Sequence, residues 1–314
     1  MNKIILEEIK KVADRLGVSL KDIVFHHNPD IVFLEDNVRL EKSVDSQVSV
    51  VGQFVDGTLK TTVTVPDNYK AEKPLQFCFY LKQKEAIQRI ETTFNIGKNS
   101  YLRIFSNCMT VDSIGQHEDM KYFNLGEGSR LETYELHFNT KQSSTTTNTT
   151  SNIKIGKNAY FSNEFVATMG NLGNLTKNMI VELNGESSKA ELLSRINLKK
   201  DDKVKSYNEI NLHGVESKAM LKSKSVSYEG AANIFVGKMS GFGDNCIGHV
   251  DCEEVLLGVG DIQSLPELRV INPTARLTHE ASIGSIEKSA IDNLRAKGLT
   301  QEQATDFIVK GVLD

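Results

Sequence analysis

The sequence predicts an all-β core wound into a right-handed parallel β-helix, with helical segments at both termini. One observation is a repeat: Ile96-Gly97-Lys98-Asn99-Ser100, Leu125-Gly126-Glu127-Gly128-Ser129, Ile155-Gly156-Lys157-Asn158-Ala159, Gly185–Ala190 and Gly214–Ala219 place a glycine before a small residue and a strand. The glycines lie 29, 30, 29 and 29 residues apart, a period that signals stacked units. A second is period-two alternation, in Leu59/Thr61/Val63/Val65, Leu102/Ile104/Ser106, Tyr134/Leu136/Phe138, Ala190 through Leu198 and Val204 through Leu212. Such alternation means strands with one face buried. A third is that no crossover helix interrupts these runs for roughly 200 residues. Two strand runs and two turn signals per unit exclude leucine-rich, ankyrin and tetratricopeptide repeats and fit one rung of a solenoid.

Along the chain, Ile5, Ile9, Val12 and Leu16 at helical spacing, stopped by Gly17, give an amphipathic helix over 3–16. Ser19–Asp22 is a possible short turn before Asn28-Pro29, and His26-His27 point to opposite faces if extended, which argues against a shared metal. Residues 1–45 form the expected amino-terminal helical segment and 46–277 the coil. Within the coil the repeat glycines are expected to supply the left-handed corner conformation. Ser143–Ser151 is a polar strand whose hydroxyls can form ladders between rungs, or else a disordered linker. Residues 278–314 form a helical hairpin: Ser285 caps Ile286–Lys297, Gly298 ends it, and Thr300 with Gln303 makes a capping box for a second helix. A coil has an open edge at each end, and the terminal helices are candidate covers.

The 314 residues are 25% charged and 39% hydrophobic, with a formal net charge of −4. That excludes a disordered chain and leaves no basic excess to attract nucleic acid or an anionic membrane. Four scattered cysteines, an amino terminus without a signal-like apolar stretch, and the absence of a membrane-length apolar run predict a cytoplasmic protein with free thiols. Gly126-Glu127-Gly128 and Gly258-Val259-Gly260 lack the Gly-Lys-Ser/Thr of a phosphate loop, so ATP, if used, belongs to a partner.

Chemistry-bearing residues concentrate in Gly248–Glu280, which holds Cys252, Glu280, His249 and His279. Cys252 alone reads as a small buried residue and Glu280 alone as a solvated charge. Cys246, six residues before Cys252, has no metal-finger spacing. The two histidines suit either ligation or support of the loop by a hydrogen bond.

The ordered set Gly248, His249, Cys252, Leu257, Gly258, then Pro266, Ala275-Arg276, His279-Glu280-Ala281, Ile286, Lys297-Gly298 and Ala304, Phe307-Ile308-Val309, Gly311 resembles the carboxy-terminal half of the SufB/SufD proteins of the SUF iron–sulfur cluster assembly system. The match runs over residues 228–314, and the rung repeat extends it over most of the chain. The resemblance implies a β-helix scaffold, not an enzyme. It works with a SufC-like ABC-type ATPase docked through residues 282–314 and takes sulfur from a cysteine desulfurase or another donor. It also implies that the family's essential thiol maps onto Cys252 and its essential carboxylate onto Glu280, which hold a transient iron–sulfur cluster with His279 and His249 as further metal ligands. The two lie 28 residues apart, nearly one repeat, so neighbouring rungs are expected to bring them to one site. The chain is shorter than typical SufB, and neither Cys78 nor Cys108 aligns with the family's internal sulfur-receiving position. The resemblance implies a homodimer or a heterodimer with a SufB/SufD paralogue, and the short chain suggests pairing with itself across a two-fold axis.

Two other classes compete. A cytoplasmic carbohydrate-active β-helix enzyme needs paired acids on an outer face, and Asp201-Asp202 and Glu253-Glu254 are adjacent acidic pairs in the coil. A purely structural interaction module predicts that Cys252 and Glu280 are dispensable.

Overall fold

The computed structural model describes residues 30–35, 39–45, 47–81, 83–111, 113–140 and 145–313, together with Lys10. The expected amino-terminal helix beyond Lys10, Ser19–Asp22 and His26-His27 lie outside these residues.

Nineteen strands and two helices follow one another among the described residues: β1 (Asp30–Glu35), β2 (Arg39–Ser43), β3 (Ser49–Val55), β4 (Thr58–Val65), β5 (Leu75–Leu81), β6 (Ile87–Ile96), β7 (Tyr101–Thr110), β8 (Gln116–Leu125), β9 (Arg130–Asn139), β10 (Thr146–Ile155), β11 (Tyr160–Met169), β12 (Asn174–Leu183), β13 (Lys189–Leu198), β14 (Lys203–Leu212), β15 (Lys218–Tyr228), β16 (Ala232–Gly241), β17 (Ile247–Leu257), β18 (Asp261–Val270), β19 (Arg276–Ser285), α1 (Lys288–Ala296) and α2 (Gln301–Leu313). From β4 onward the chain alternates between two parallel walls. One wall runs β19-β17-β15-β13-β11-β9-β7-β5-β1-β2 and the other β18-β16-β14-β12-β10-β8-β6-β4-β3. Each rung therefore contributes one strand to each wall, and hydrogen bonds run along the stack. The register advances by one period per rung, as in Ile96↔Leu125, Leu125↔Ile155 and Leu183↔Leu212. The predicted solenoid is the observed architecture.

The corner glycines work differently from expectation. Left-handed backbone occurs two residues after them, at Asn99, Gly128, Asn158, Ser187 and Glu216. The glycines are required by crowding: a Cβ on Gly185 would lie on the Lys157 backbone, and one on Gly214 on the carbonyl of Gly185. Stacked turns thus touch through backbone, where only glycine fits. The small residue that follows is explained too, since the Ser100, Ser129 and Ser188 hydroxyls donate back to the carbonyls of Gly97, Gly126 and Gly185 at 2.6–2.7 Å.

Between the walls lies an apolar column, with Phe94 stacked on Phe123 (4.6 Å, 6° between planes) and Phe123 against Phe161 (5.6 Å). β10 is the predicted polar strand, and Thr147, Thr149 and Ser151 point into the core. β9 departs from the expected phase: Leu131, Thr133, Glu135 and His137 are buried in register with core positions of β7 and β11, while Leu136 of the expected set is buried as well. Charge inside the coil is made tolerable by a partner, because Lys121 Nζ of β8 lies 2.7 Å from Glu135 Oε2 and 2.9 Å from Asp119 Oδ2.

The domain boundaries also shift. β1 and β2 are strands within the segment expected to be helical; Val32 and Leu34 are buried and β1 pairs with β5. The expected boundary at 277/278 falls inside β19, so His279 and Glu280 belong to the coil and not to the hairpin. Ser285 ends that strand, and α1 starts after Glu287 without a side-chain cap. Gly298 (φ +99°) follows α1 as expected, and the capping box of α2 is reciprocal: Thr300 N–H donates to Gln303 Oε1 (2.9 Å) and Gln303 N–H to Thr300 Oγ1 (3.2 Å). α2 packs on the outer face of β15 through Val309 and Leu313 against Val226, whereas α1 buries no residue.

Candidate functional site

The concentrated residues fall on the last two strands of one wall. In β17 the inner face carries Gly248, Val250, Cys252 and Glu254, all buried, and the outer face His249, Asp251 and Glu253. β19 pairs with β17 as His249↔Thr278, Val250↔His279, Asp251↔Glu280 and Cys252↔Ala281. His279 therefore shares the inner face with Cys252, and Glu280 shares the outer face with His249. Cys252 and Glu280 do lie on neighbouring rungs, but on opposite faces of the same sheet. The reason is arithmetic: their 28-residue separation is one short of the 29-residue register seen here, and a one-residue offset turns a strand side chain to the other face.

The inner group sits one rung beneath the carboxy-terminal opening. Only Ala281 stands above Cys252 on the edge strand, and Ser264 of β18 approaches from the opposite wall. Cys252 is 1% exposed, and burial pushes its thiol up to about 11; the Ser264 hydroxyl works against that shift, and the charges of Glu254 and Asp251 add to it. Glu254 is equally buried. Its carboxyl accepts from Ser223 Oγ (3.1 Å), Asn233 Nδ2 (3.1 Å) and Ser225 Oγ, yet burial still raises it to about 7. Cys252 is therefore held as a neutral thiol and must release its proton before it can bind a metal or accept sulfur.

On the outer face His249, Asp251 and Glu253 are half-buried and Glu280 is exposed. His249 Nδ1 lies 2.8 Å from Thr278 Oγ1, tying β17 to β19. Lys222, Asp251 and Glu280 stand in register on three successive strands, with Lys222 Nζ 3.4 Å from Asp251 Oδ2. Cys246 belongs to the packed core of its corner, where burial raises its thiol. The four cysteines are free and buried. Among the described residues no three His, Cys, Asp or Glu side chains converge in a way that could hold a metal ion.

Neither acidic pair makes a two-carboxylate site. The carboxyl of Asp202 accepts from the backbone of Lys199, Leu172 and Gly173 and so builds a turn. Glu253 and Glu254 occupy opposite faces of β17.

The coil interior holds groups that the sequence did not flag. Cys108 Sγ lies 3.1 Å from His117 Nε2, and His117 Nδ1 lies 2.8 Å from Gln88 Oε1, all buried. Burial lowers His117 to about 4 and His137 to about 3. The available signal was strand phase: once Leu131 and Thr133 are read as inward, Glu135 and His137 must follow.

Among the described residues no helix is long and apolar enough to cross a membrane.

Comparison with known proteins agrees with this architecture. Residues 79–312 match the SufBD core domain of SUF system FeS cluster assembly. An iron-sulfur cluster assembly SufBD family protein of Pyrococcus horikoshii is 35% identical over 267 residues, 85% of this chain and 81% of the relative. One of Methanocaldococcus jannaschii is 26% identical over 98% of this chain and 96% of its own length. One of Staphylococcus aureus is 22% identical over 98% of this chain and 74% of the relative. With the solenoid, the terminal helices and the Cys252 region in place, the chain belongs to the SufBD family of the SUF iron–sulfur cluster assembly system.

Proposed function

We propose that this chain is a cytoplasmic scaffold on which a nascent iron–sulfur cluster is assembled at the carboxy-terminal opening of the coil. The observation that carries the reading is the place of Cys252: a thiol inside the coil, one rung from its end, with only the methyl group of Ala281 above it. The cluster is cargo, not a resident cofactor. Cys252 is its sulfur ligand, and His279 stands on the same inner face. Glu280 and His249 line the outer face of the same edge and meet the cargo only where the two faces join at that edge.

One chain supplies too few donors, and the opening is built to be covered. Ile283 on the inner face of β19 is 52% exposed, and Val270 at the end of β18 is 52% exposed. A second SufBD chain, identical or a paralogue, set against these edges contributes the remaining ligands and covers the apolar surface. Sulfur comes from a cysteine desulfurase or another donor. A SufC-like ABC-type ATPase docks on residues 282–314, where α1 buries nothing and Phe307 of α2 is 65% exposed. Its nucleotide-driven closure moves the hairpins and, through them, the paired coil ends. The chain itself performs no catalysis.

Anaerobic reconstitution with iron and sulfide, read by absorption and Mössbauer spectroscopy, tests the site. The wild type is expected to hold a cluster, Cys252→Ser to lose it and Glu280→Ala to hold it less firmly. A Cys252→Ser variant that reconstitutes like the wild type removes the reading.

A further inference from the structure

Cys252 and Glu254 leave β17 two residues apart on one face, so their side chains both point into the coil interior. Glu254 reaches toward β15, one rung further from the opening. Its Oε1 lies 3.1 Å from Ser223 Oγ, and Ser223 is the register partner of Cys252, about 4.8 Å away across the ladder. The carboxyl is thus drawn toward the column that contains the sulfur. A carboxylate offers about four acceptor positions. Ser223, Ser225 and Asn233 fill three, and Oε1 keeps one open.

We infer that Cys252 and Glu254 form an inner seat for one divalent first-row metal ion, ferrous iron in the assembly reaction, one rung below the coil opening. The inference rests on the reading of Cys252 as a cargo ligand and adds a carboxylate on the sulfur's own face of the sheet. A soft thiolate beside a hard carboxylate suits such an ion. Binding exchanges the thiol proton, released to solvent, for a metal–sulfur bond, and the metal keeps its oxidation state. Two protein donors leave the other coordination positions to water or to incoming sulfide, as a transient seat requires. Ser223, Ser225 and Asn233 fix the carboxylate from two further strands, β15 and β16. Above the sulfur on the edge strand stands only the small side chain of Ala281, and Cys252 is 1% exposed beneath it.

Anaerobic titration of the full-length protein with cobalt(II) chloride tests this, because a cobalt–thiolate bond has a near-ultraviolet charge-transfer band that reports binding without any cluster. The wild type is expected to show the band and Cys252→Ser to lose it. Glu254→Gln keeps an oxygen acceptor for one serine and offers an N–H to the other hydroxyl, and it is expected to weaken binding by about 10- to 100-fold. The outward-facing Glu253→Gln is expected to bind like the wild type. If Glu254→Gln binds like the wild type while Cys252→Ser does not, the inference falls and the Cys252 reading stands. If the wild type lacks the band, or Cys252→Ser keeps it, the underlying reading falls as well. Circular dichroism checks each fold. Should Glu254→Gln not fold, Glu254→Asp takes its place, with its shorter arm expected to weaken binding and wild-type affinity overturning the proposal.

Discussion

The two ends of the coil are finished in different ways. At the amino-terminal end the outermost strands turn back on themselves: β1 pairs antiparallel with β2, and β3 with β4. Most inward side chains there are sealed, with Val32, Leu34, Val50, Leu59 and Val63 each no more than 5% exposed, and Phe54 at the end of β3 is the inward residue left open. At the carboxy-terminal end β18 and β19 are ten-residue parallel strands whose outer edges have no partner among the described residues. Their inward positions are open, including Ile283 at 52%. An edge left long and apolar is a liability unless something covers it. The end that is left unfinished is also the one that carries Cys252, His279 and Glu254. One end is built for stability and the other for assembly.

Matched substitutions put the largest expected effect on that contrast. Val63→Asp at the sealed end buries an unpaired carboxylate and is expected to cost at least about 3 kcal/mol in urea unfolding. Ile283→Lys at the open end is expected to change stability by less than about 0.5 kcal/mol, yet to shift the protein toward the monomer in analytical ultracentrifugation. Equal stability losses at both ends would erase the distinction.

A smaller effect separates the coil interior from the open end by pH. Burial holds His117 near 4 and His137 near 3, below the usual value of about 6.5. Between about pH 4.3 and 6.5 the unfolded chain binds two protons that these residues refuse in the folded state, so stability falls as pH falls. Glu254 works the other way. Its folded value of about 7 lies above the usual carboxylate range, so its contribution is present at low pH and is lost as pH rises through 7. The three groups together predict a net slope of about 1.4 kcal/mol per pH unit in that window. His117→Gln is expected to flatten the slope and Glu254→Gln to double it, both measurable as urea midpoints against pH.

Much of the fold was legible in the sequence because the rung repeats. Gly97, Gly126, Gly156, Gly185 and Gly214 keep one period, and β13 and β14 bury the phase their alternation predicts. The role of those glycines was not legible, since crowding between successive turns depends on the neighbouring rung. The phase of β9 was misleading because Glu135 points inward, and Lys121 and Asn163 on other strands make that tolerable. Cys252 could be singled out from its surrounding motif. The relation between Cys252 and Glu280 could not, because one residue of register decides which face a side chain takes. Glu254 was visible as half of an acidic pair, but its burial follows from the strand, not from the pair.

The most direct test of the account is the iron content per assembly after anaerobic reconstitution, measured in parallel on the wild type and Ile283→Lys. The account predicts one cluster per two chains in the wild type, and little or none once Ile283→Lys has separated the coil ends. A monomeric Ile283→Lys that retains a full cluster would contradict it, because the site would then be complete within a single chain.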